Sequence, residues 1–351
     1  MEPSDWMIYG ANGYTGRLIA QEAVARGMRP VLAGRSARRI ETLAAELGCP
    51  SRVFQLDRAD RIAEHLTGVC AVLNCAGPFS ATAEPMMDAC LAARAHYLDI
   101  TGEIDVIEAA AARHDRAIRA EVSLIPAVGF DVVPGDCLAA MLAERMPDAT
   151  HLQLAFTGLK RVSRGTARTG IEALPRGAFV RVDGRITRVP IAWKSMEVPF
   201  RNAPRTAMTV PWGDVASAWH TTGIPNIEIY MAMPKKHIAR LRRMRWAFRL
   251  LGLRPIRKFL NDVVLRRFGG PTPAQTKASR ASFWGRVSDA AGNAVEATLE
   301  APGGYRLTVS TALASIERVL DGATPAGFAT PAQAFRPDFI LQAAETDLRW
   351  V

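Results

Sequence analysis

The sequence has little that would tie it to a metal, a disulfide framework or a membrane span. Five cysteines, at positions 49, 70, 75, 90 and 137, form no C-x-x-C pair, and the six histidines are dispersed. That spacing excludes the common zinc motifs and a disulfide scaffold. Buried reduced thiols are the expectation, and no metal is expected. No uncharged apolar run approaches the roughly 20 residues of a spanning helix. The first residues also lack the basic start, apolar stretch and small-residue site of a secretory leader, because an apolar run at 6–9 leads straight into a glycine turn. A cytoplasmic chain is expected, peripheral at a membrane surface if its basic segment binds there.

What is present is apolar surface and an uneven charge. At 351 residues, 49% hydrophobic and 22% charged, the chain can build about two cores. Its patterning divides it into residues 1–145, 146–321 and 322–351. The formal charge is +10, yet residues 235–268 hold twelve Lys and Arg against one acid, Asp262. That segment alone is +11, so the rest of the chain sums to −1.

Apolar runs at 6–9, 30–33, 52–56, 69–74, 96–100 and 122–128 alternate with helical spacing, as at 16–26 and 39–47. Continuous apolar strands between helices predict an α/β fold, a Rossmann-type doubly wound parallel sheet covered on both faces. The first strand–helix turn carries Gly10, Asn12, Gly13, Tyr14, Thr15 and Gly16, a G-x-x-G-x-x-G pattern. Glycines there let the backbone approach a pyrophosphate, which the following helix holds with its amides and its positive end. The second strand ends without the acid that grips a ribose 2′-hydroxyl; Arg35 and Ser36 stand there instead. A guanidinium beside a hydroxyl suits a 2′-phosphate, which favours NADP(H) over NAD(H). Ligands of such sheets lie outside the C-terminal strand ends. That adds Asp57, the run Cys75, Ala76, Gly77, Pro78 and Phe79, and Thr101 with Gly102 to the cofactor candidates.

These stretches, with 97–103 and 126–136, resemble the saccharopine dehydrogenase-like oxidoreductases. The closer likeness is to the branch that includes the trans-acting enoyl reductases. It is specific over residues 5–140 and thinner beyond, where Gly165, Thr166 and Ala167 look like the family's glycine-rich loop. The resemblance implies an NADP-binding domain, an α+β domain with a mainly antiparallel sheet, and chain-terminal helices over 322–351 that pack back on the first domain. True saccharopine reductases are longer and need a domain that holds several carboxylates. The Tyr-x-x-x-Lys dyad of short-chain dehydrogenases is absent. Tyr9, Tyr14, Tyr97, Tyr230 and Tyr305 are followed four places on by Gly13, Leu18, Thr101, Pro234 and Val309.

In the second part, amphipathic β runs at 151–156, 179–188, 227–231, 282–287 and 294–299 predict the antiparallel sheet, with 305–309 as a further strand. Asp183 and Gly184 suit a two-residue hairpin turn. A loop at 160–170 with Lys160, Arg161, Arg164 and Arg168 can hold an anionic group or stand solvated. Residues 235–268 mix their cations with Trp246, Phe248, Phe259 and several leucines. That mixture suits an anionic membrane surface, an acidic carrier protein or a partly packed solvated helix pair. No nucleic-acid motif accompanies the charge, so nucleic acid is not an expected partner. Apolar edge strands allow a homodimer.

The leading functional reading is an NADPH-dependent reductase. It would transfer hydride to an unsaturated (enoyl) or carbonyl or imine group of a hydrophobic, small-molecule or lipid-like substrate, carried by another protein or free. Tyr97, Asp99, Glu103 and Asp131 are the candidate proton donors, with no basic partner legible beside any of them. Strand packing and turn capping account equally well for Tyr97 and Asp99. A non-catalytic NADP-bound protein that docks on lipid surfaces, and an amino-acid reductase of the saccharopine kind, are the alternatives.

Overall fold

In chain order the strands and helices begin with β1 (Asp5–Tyr9), α1 (Tyr14–Ala25), β2 (Val31–Gly34), α2 (Ala37–Leu47), β3 (Ser51–Val53), α3 (Ala59–Glu64), β4 (Val69–Asn74), α4 (Phe79–Ala93) and β5 (His96–Asp99). Then come α5 (Ile104–Ala111), α6 (His114–Ala120), β6 (Ser123–Ile125), α7 (Val133–Arg145), β7 (His151–Phe156), β8 (Ala178–Val182), β9 (Arg185–Val189), β10 (Ser195–Val198) and β11 (Arg205–Thr209). The remainder is α8 (Asp214–Thr222), β12 (Asn226–Ala232), α9 (Lys235–Arg243), β13 (Arg280–Ser288), β14 (Ala294–Pro302), α10 (Gly304–Leu320), β15 (Gly327–Phe328), α11 (Pro331–Phe335), α12 (Phe339–Ala343) and β16 (Asp347–Trp350). This computed structural model describes residues 5–157, 177–245 and 279–351. The loop at 160–170 and the basic stretch beyond Arg245 lie outside the described residues.

The chain folds into two units, Met1–Val133 with Tyr305–Ala343, and Pro134–Gly304 with Ala344–Val351. The first unit holds a seven-stranded sheet in the order β15-β6-β5-β4-β1-β2-β3. Every pairing in it is parallel. Strands in that order reverse direction of travel beside β1, which makes the crevice at the C-terminal ends of β1 and β4 the place where an open sheet takes a ligand. Strand β2 is buried along its whole length, and β4 nearly so. Both faces are therefore covered, and the core includes Met7, Val31, Val72 and Tyr97 from strands with Met86, Met87 and Cys90 from α4.

The second unit holds a nine-stranded mixed sheet whose main path is β10-β11-β12-β7-β13-β14-β16, with the β8–β9 hairpin joined to β12. Only β12 and β7 pair in parallel along this path. The hairpin turns at Asp183 and Gly184, with φ 47° and 76°, the left-handed pair that a type I′ turn requires. Leu138 and Leu142 of α7 press on Gly285 of β13, so closely that a Cβ there would lie 2.6 Å from Leu142.

Three expectations change. Residues 305–309 open helix α10 and are not a strand. Tyr-Arg-Leu-Thr-Val alternates over five residues, but the buried Leu307, Thr311, Ala312, Ser315, Ile316 and Val319 follow a helical period over the longer window. The helix also counts with the first unit, so a second domain running through 321 is corrected to one that ends at Gly304 and regains only the last residues. The tail does not consist of helices alone, because β16 pairs with β14. Finally, the third strand stops at Val53, short of the predicted 56.

Candidate dinucleotide site

The β1–α1 turn is built by close backbone approach. Gly10 sits at φ 80°, and a Cβ on it would lie 2.8 Å from the Ala76 nitrogen. A Cβ on Gly16 would lie 2.5 Å from the Gly10 carbonyl oxygen. Side chains at either position would push apart the β1 turn, the β4 end and the first turn of α1. The Gly10 and Ala11 amides both donate to the Ala33 carbonyl, at 2.8 and 3.2 Å, which ties the turn to β2. Asn12 places its amide oxygen against Gly34. Gly13 is the N-cap of α1 and supplies no side-chain cap, and the first turn of that helix has no acid. Its amides and positive end are thus left to an anion. Tyr14, exposed, meets Tyr305 edge to face at 4.8 Å between ring centres, while Thr15 is half-buried.

The end of β2 is cationic and uncommitted. Arg35 is exposed and makes no hydrogen bond or ion pair among the described residues. Its charge reaches Tyr9: burial pushes that hydroxyl up to about 12, and Arg35 pulls it part of the way back. Ser36 is the N-cap of α2, but its hydroxyl caps no amide. Arg38 and Arg39 follow in a first turn without an acid. Cations at a helix N-terminus oppose the helix dipole, and a bound anion there reverses the sign of the interaction.

Asp57 is exposed and held by its neighbours. It lies beyond β3, accepts a hydrogen bond from the Arg58 amide at 2.8 Å and pairs with Arg61 at 3.2 Å. Those partners, the Arg58 amide foremost, hold its carboxyl below the usual range. Its carboxylate therefore caps the approach to α3. The aromatic surface at this end comes instead from Phe54, whose ring stacks on His65 at 4.7 Å and whose carbonyl accepts the Tyr9 hydroxyl at 3.1 Å.

At the end of β4 the chain is folded by side chains. The Asn74 amide oxygen accepts from the Ala76 amide at 3.0 Å, and Thr82 donates its hydroxyl to the Ala76 carbonyl at 2.6 Å. The Gly77–Pro78 bond is cis. Burial pushes the Cys75 thiol far up, so it stays protonated. Phe79 and Ser80 start α4, and both their amides donate to the Glu103 carboxylate, at 3.0 and 2.9 Å. Glu103 is a helix cap reached from the next strand end, which explains its place better than proton transfer does.

Tyr97 and Asp99 are buried to zero exposure. The Tyr97 hydroxyl donates to Asp99 at 2.7 Å, and the other Asp99 oxygen accepts the amides of Thr101 and Ala127 at 2.9 and 2.8 Å. Thr101 in turn accepts the Glu103 amide at 3.0 Å. Burial pushes the Asp99 carboxyl up to about 6, and it pushes the Tyr97 hydroxyl well above its usual value. These groups knit the ends of β5 and β6 together. Neither side chain reaches solvent here, and their hydrogen bonds run within the first unit.

Asp131 is different. It follows β6, is half-buried, and makes no hydrogen bond or ion pair among the described residues. Burial alone pushes its carboxyl up to about 6. It lies against Gly102, where a Cβ would come within 2.9 Å of the carboxylate. Its loop is held from α10: Thr308 accepts the Phe130 amide at 3.1 Å, and Thr311 donates to the Val128 carbonyl at 2.8 Å. Thr308 falls in the window 305–309 expected as a strand, and Thr311 lies just beyond it with no local signal. Asn74 and Thr82 had only the strand-end position of Asn74 as a signal. Among the described residues no group of His, Cys, Asp and Glu is placed to hold a metal ion.

A glycine turn at the start of a helix, at the switch point of a parallel sheet and next to an arginine that is unpaired among the described residues, is the arrangement that holds a dinucleotide in open α/β sheets. The comparison with known proteins is narrower still. Residues 6–125 match the model of the family described as the saccharopine dehydrogenase NADP binding domain, which marks them as an NADP(H)-binding domain. A probable mitochondrial saccharopine dehydrogenase-like oxidoreductase of Arabidopsis thaliana is 33% identical over 149 residues, 38% of this chain and 33% of that protein. The human saccharopine dehydrogenase-like oxidoreductase is 29% identical over 157 residues, 38% of this chain and 36% of that one. A trans-acting enoyl reductase of Mycobacterium ulcerans is 30% identical over 161 residues, 44% of this chain and 38% of that one. The matched segment thus spans little more than a third of these relatives. In fold, the apo saccharopine dehydrogenase (L-Glu forming) of Saccharomyces cerevisiae superposes with a TM-score of 0.66 at 11% identity, over 99% of this chain and 100% of that one. Among the described residues no helix is long and apolar enough to cross a membrane.

Proposed function

We propose that the chain is an NADPH-dependent reductase and that Asp131 delivers the proton that completes the reduction. The observation that carries this reading is the Asp131 carboxyl: unpaired, half-buried, pushed up to about 6, and standing on the ligand-binding edge of the sheet. An acid titrating near neutral pH is matched to proton transfer. Bound NADPH supplies a hydride to an electron-poor double bond. The protein's own residues do the rest. Gly10, Gly13 and Gly16 let the backbone reach the pyrophosphate, the positive end of α1 faces it, and Arg35 with Ser36 takes the 2′-phosphate. Glu103 and Thr82 fix the bend at 75–79, and Thr308 and Thr311 fix the loop that carries Asp131.

Asp131 acts in its protonated form, giving its proton to the carbon or heteroatom on which negative charge develops. Reduction therefore slows as pH rises through about 6. The substrate class we favour is an enoyl or carbonyl group on a hydrophobic substrate, supported by the likeness of 44% of the chain to a trans-acting enoyl reductase. The test is NADPH oxidation by the full chain with a long-chain α,β-unsaturated acyl thioester and, separately, with an amino-acid/aldehyde pair that forms an imine. Turnover of the thioester supports the enoyl reading. Turnover of the imine pair alone replaces it with the amino-acid reductase, and NADPH binding with neither turnover favours a non-catalytic protein.

A further inference from the structure

Helix α9 carries Lys235, Lys236, Arg240, Arg242 and Arg243 in nine residues, with no acid. The fold divides these cations between two faces. Ile238 is the buried residue of the helix. Arg242, four places on, donates to the Ala192 carbonyl at 3.0 Å and to the Ser195 hydroxyl at 2.9 Å. Arg245, seven places on from Ile238, donates to the carbonyls of Ile191 and Ala192 at 2.7 and 2.8 Å. Those residues form the inward stripe. Lys236, Arg240 and Arg243 stand at i, i+4 and i+7 on another stripe, all exposed, and make no ion pair among the described residues. Met244, beside Arg243, is 39% exposed. Lys235 pairs with Glu197 at 2.9 Å, but both side chains stand in solvent.

Like charges at helical spacing repel, and Lys235 and Lys236 in the first turn oppose the helix dipole as well. The chain anchors the helix with one isoleucine and two arginines, and among the described residues the outer stripe has no counter-charge. The sequence that follows keeps the same character: residues 244–253 add Met244, Trp246, Phe248, Leu250, Leu251 and Leu253 with two further arginines and no acid. Cations combined with Trp, Phe and Leu, and not cations alone, are what an interfacial surface rich in anionic headgroups selects.

We propose that the outer stripe of α9 docks the chain on an anionic lipid bilayer, with Lys236, Arg240 and Arg243 over the headgroups. This contact requires no turnover and stands apart from the reductase reading.

The experiment is sedimentation of the full chain with vesicles of phosphatidylcholine alone, and with vesicles in which about one-third is phosphatidylserine. The expected result is pelleting with the anionic vesicles only, weakened by added salt. Replacing Lys236, Arg240 and Arg243 together with Gln should lower partitioning about a hundredfold, at about one decade or slightly less per charge. Those side chains make no internal bond, so NADPH binding should be unchanged and serves as the folding control. A charge-keeping variant, Lys236→Arg, Arg240→Lys and Arg243→Lys, should bind as the parent does. Equal pelleting with neutral vesicles, no pelleting with anionic ones, or undiminished binding by the Gln variant overturns the proposal. Loss of binding in the charge-keeping variant overturns it too, because it would mark a shape-specific protein or nucleic-acid partner.

Discussion

The ends of β5 and β6 lie side by side, and each carries a carboxyl that burial pushes up to about 6. Asp99 spends both oxygens on Tyr97, Thr101 and Ala127, whereas Asp131 spends neither within the described residues. A raised pKa therefore does not by itself mark a reacting group. What separates the two is hydrogen-bond commitment: the first acid is a strut between strands, and the second has neither oxygen committed among the described residues.

The sharpest way to break this comparison is to make the same change at both places. Asp131→Asn removes a transferable proton and should lower turnover by roughly two to four decades, with NADPH affinity kept. Asp99→Asn keeps an acceptor for the two amides, so its turnover should stay within about tenfold of the parent. Steady-state kinetics with fluorescence-detected NADPH binding checks both. Asp99→Ala is the reverse case. It leaves a hydroxyl and two amides without a partner and should cost roughly 2–4 kcal/mol by denaturant unfolding, while Asp131→Ala should cost far less.

A smaller effect sharpens the distinction between committed and uncommitted groups among the cations. Arg17 is paired with Glu46 at 2.6 Å, while Arg35 is unpaired. Arg35→Ala should weaken NADPH roughly ten- to a hundredfold and leave NADH nearly unchanged. Arg17→Ala, which breaks only an exposed pair, should change neither cofactor's affinity.

The smallest predicted effect is the pH dependence of stability. Both carboxyls titrate higher in the folded chain than the about 3.9 of an unfolded aspartate. The folded state thus holds the extra protons, and the stability they bring is complete below about pH 4 and lost as pH rises through about 6. Asp131→Asn carries no charge at either end of that window. Relative to the parent it should gain roughly 1–2 kcal/mol between about pH 4 and about pH 8. A constant difference across the window would mean that Asp131 titrates normally.

Much of the first unit was legible because its signals are local. The turn at Gly10, Gly13 and Gly16, the missing acid at Arg35 and the apolar runs of β1, β2 and β4 each need only a few neighbouring residues to read. The β5–β6 junction was not legible in the same way. Tyr97 and Asp99 look like catalytic groups in one dimension, and only the approach of Ala127, 28 residues on, shows their bonds to be internal. Glu103 was misread for the same reason, since the amides it caps belong to Phe79 and Ser80. The window 305–309 is too short to distinguish a period of two from one of 3.6, which hid Thr308, one of the two threonines that hold the Asp131 loop. In the second unit the Asp183-Gly184 hairpin was legible from its turn residues, while the parallel pairing of β12 with β7 had no local signal.

The most direct test of the account is the pH profile of NADPH-dependent reduction, from about pH 5 to about pH 8, for the parent chain and for Asp131→Asn, with the substrate class that turns over. The account predicts that the parent's rate falls by one decade per pH unit above about 6, and that the variant binds NADPH but is slow and flat across the range. A variant that matches the parent in both rate and profile would contradict it.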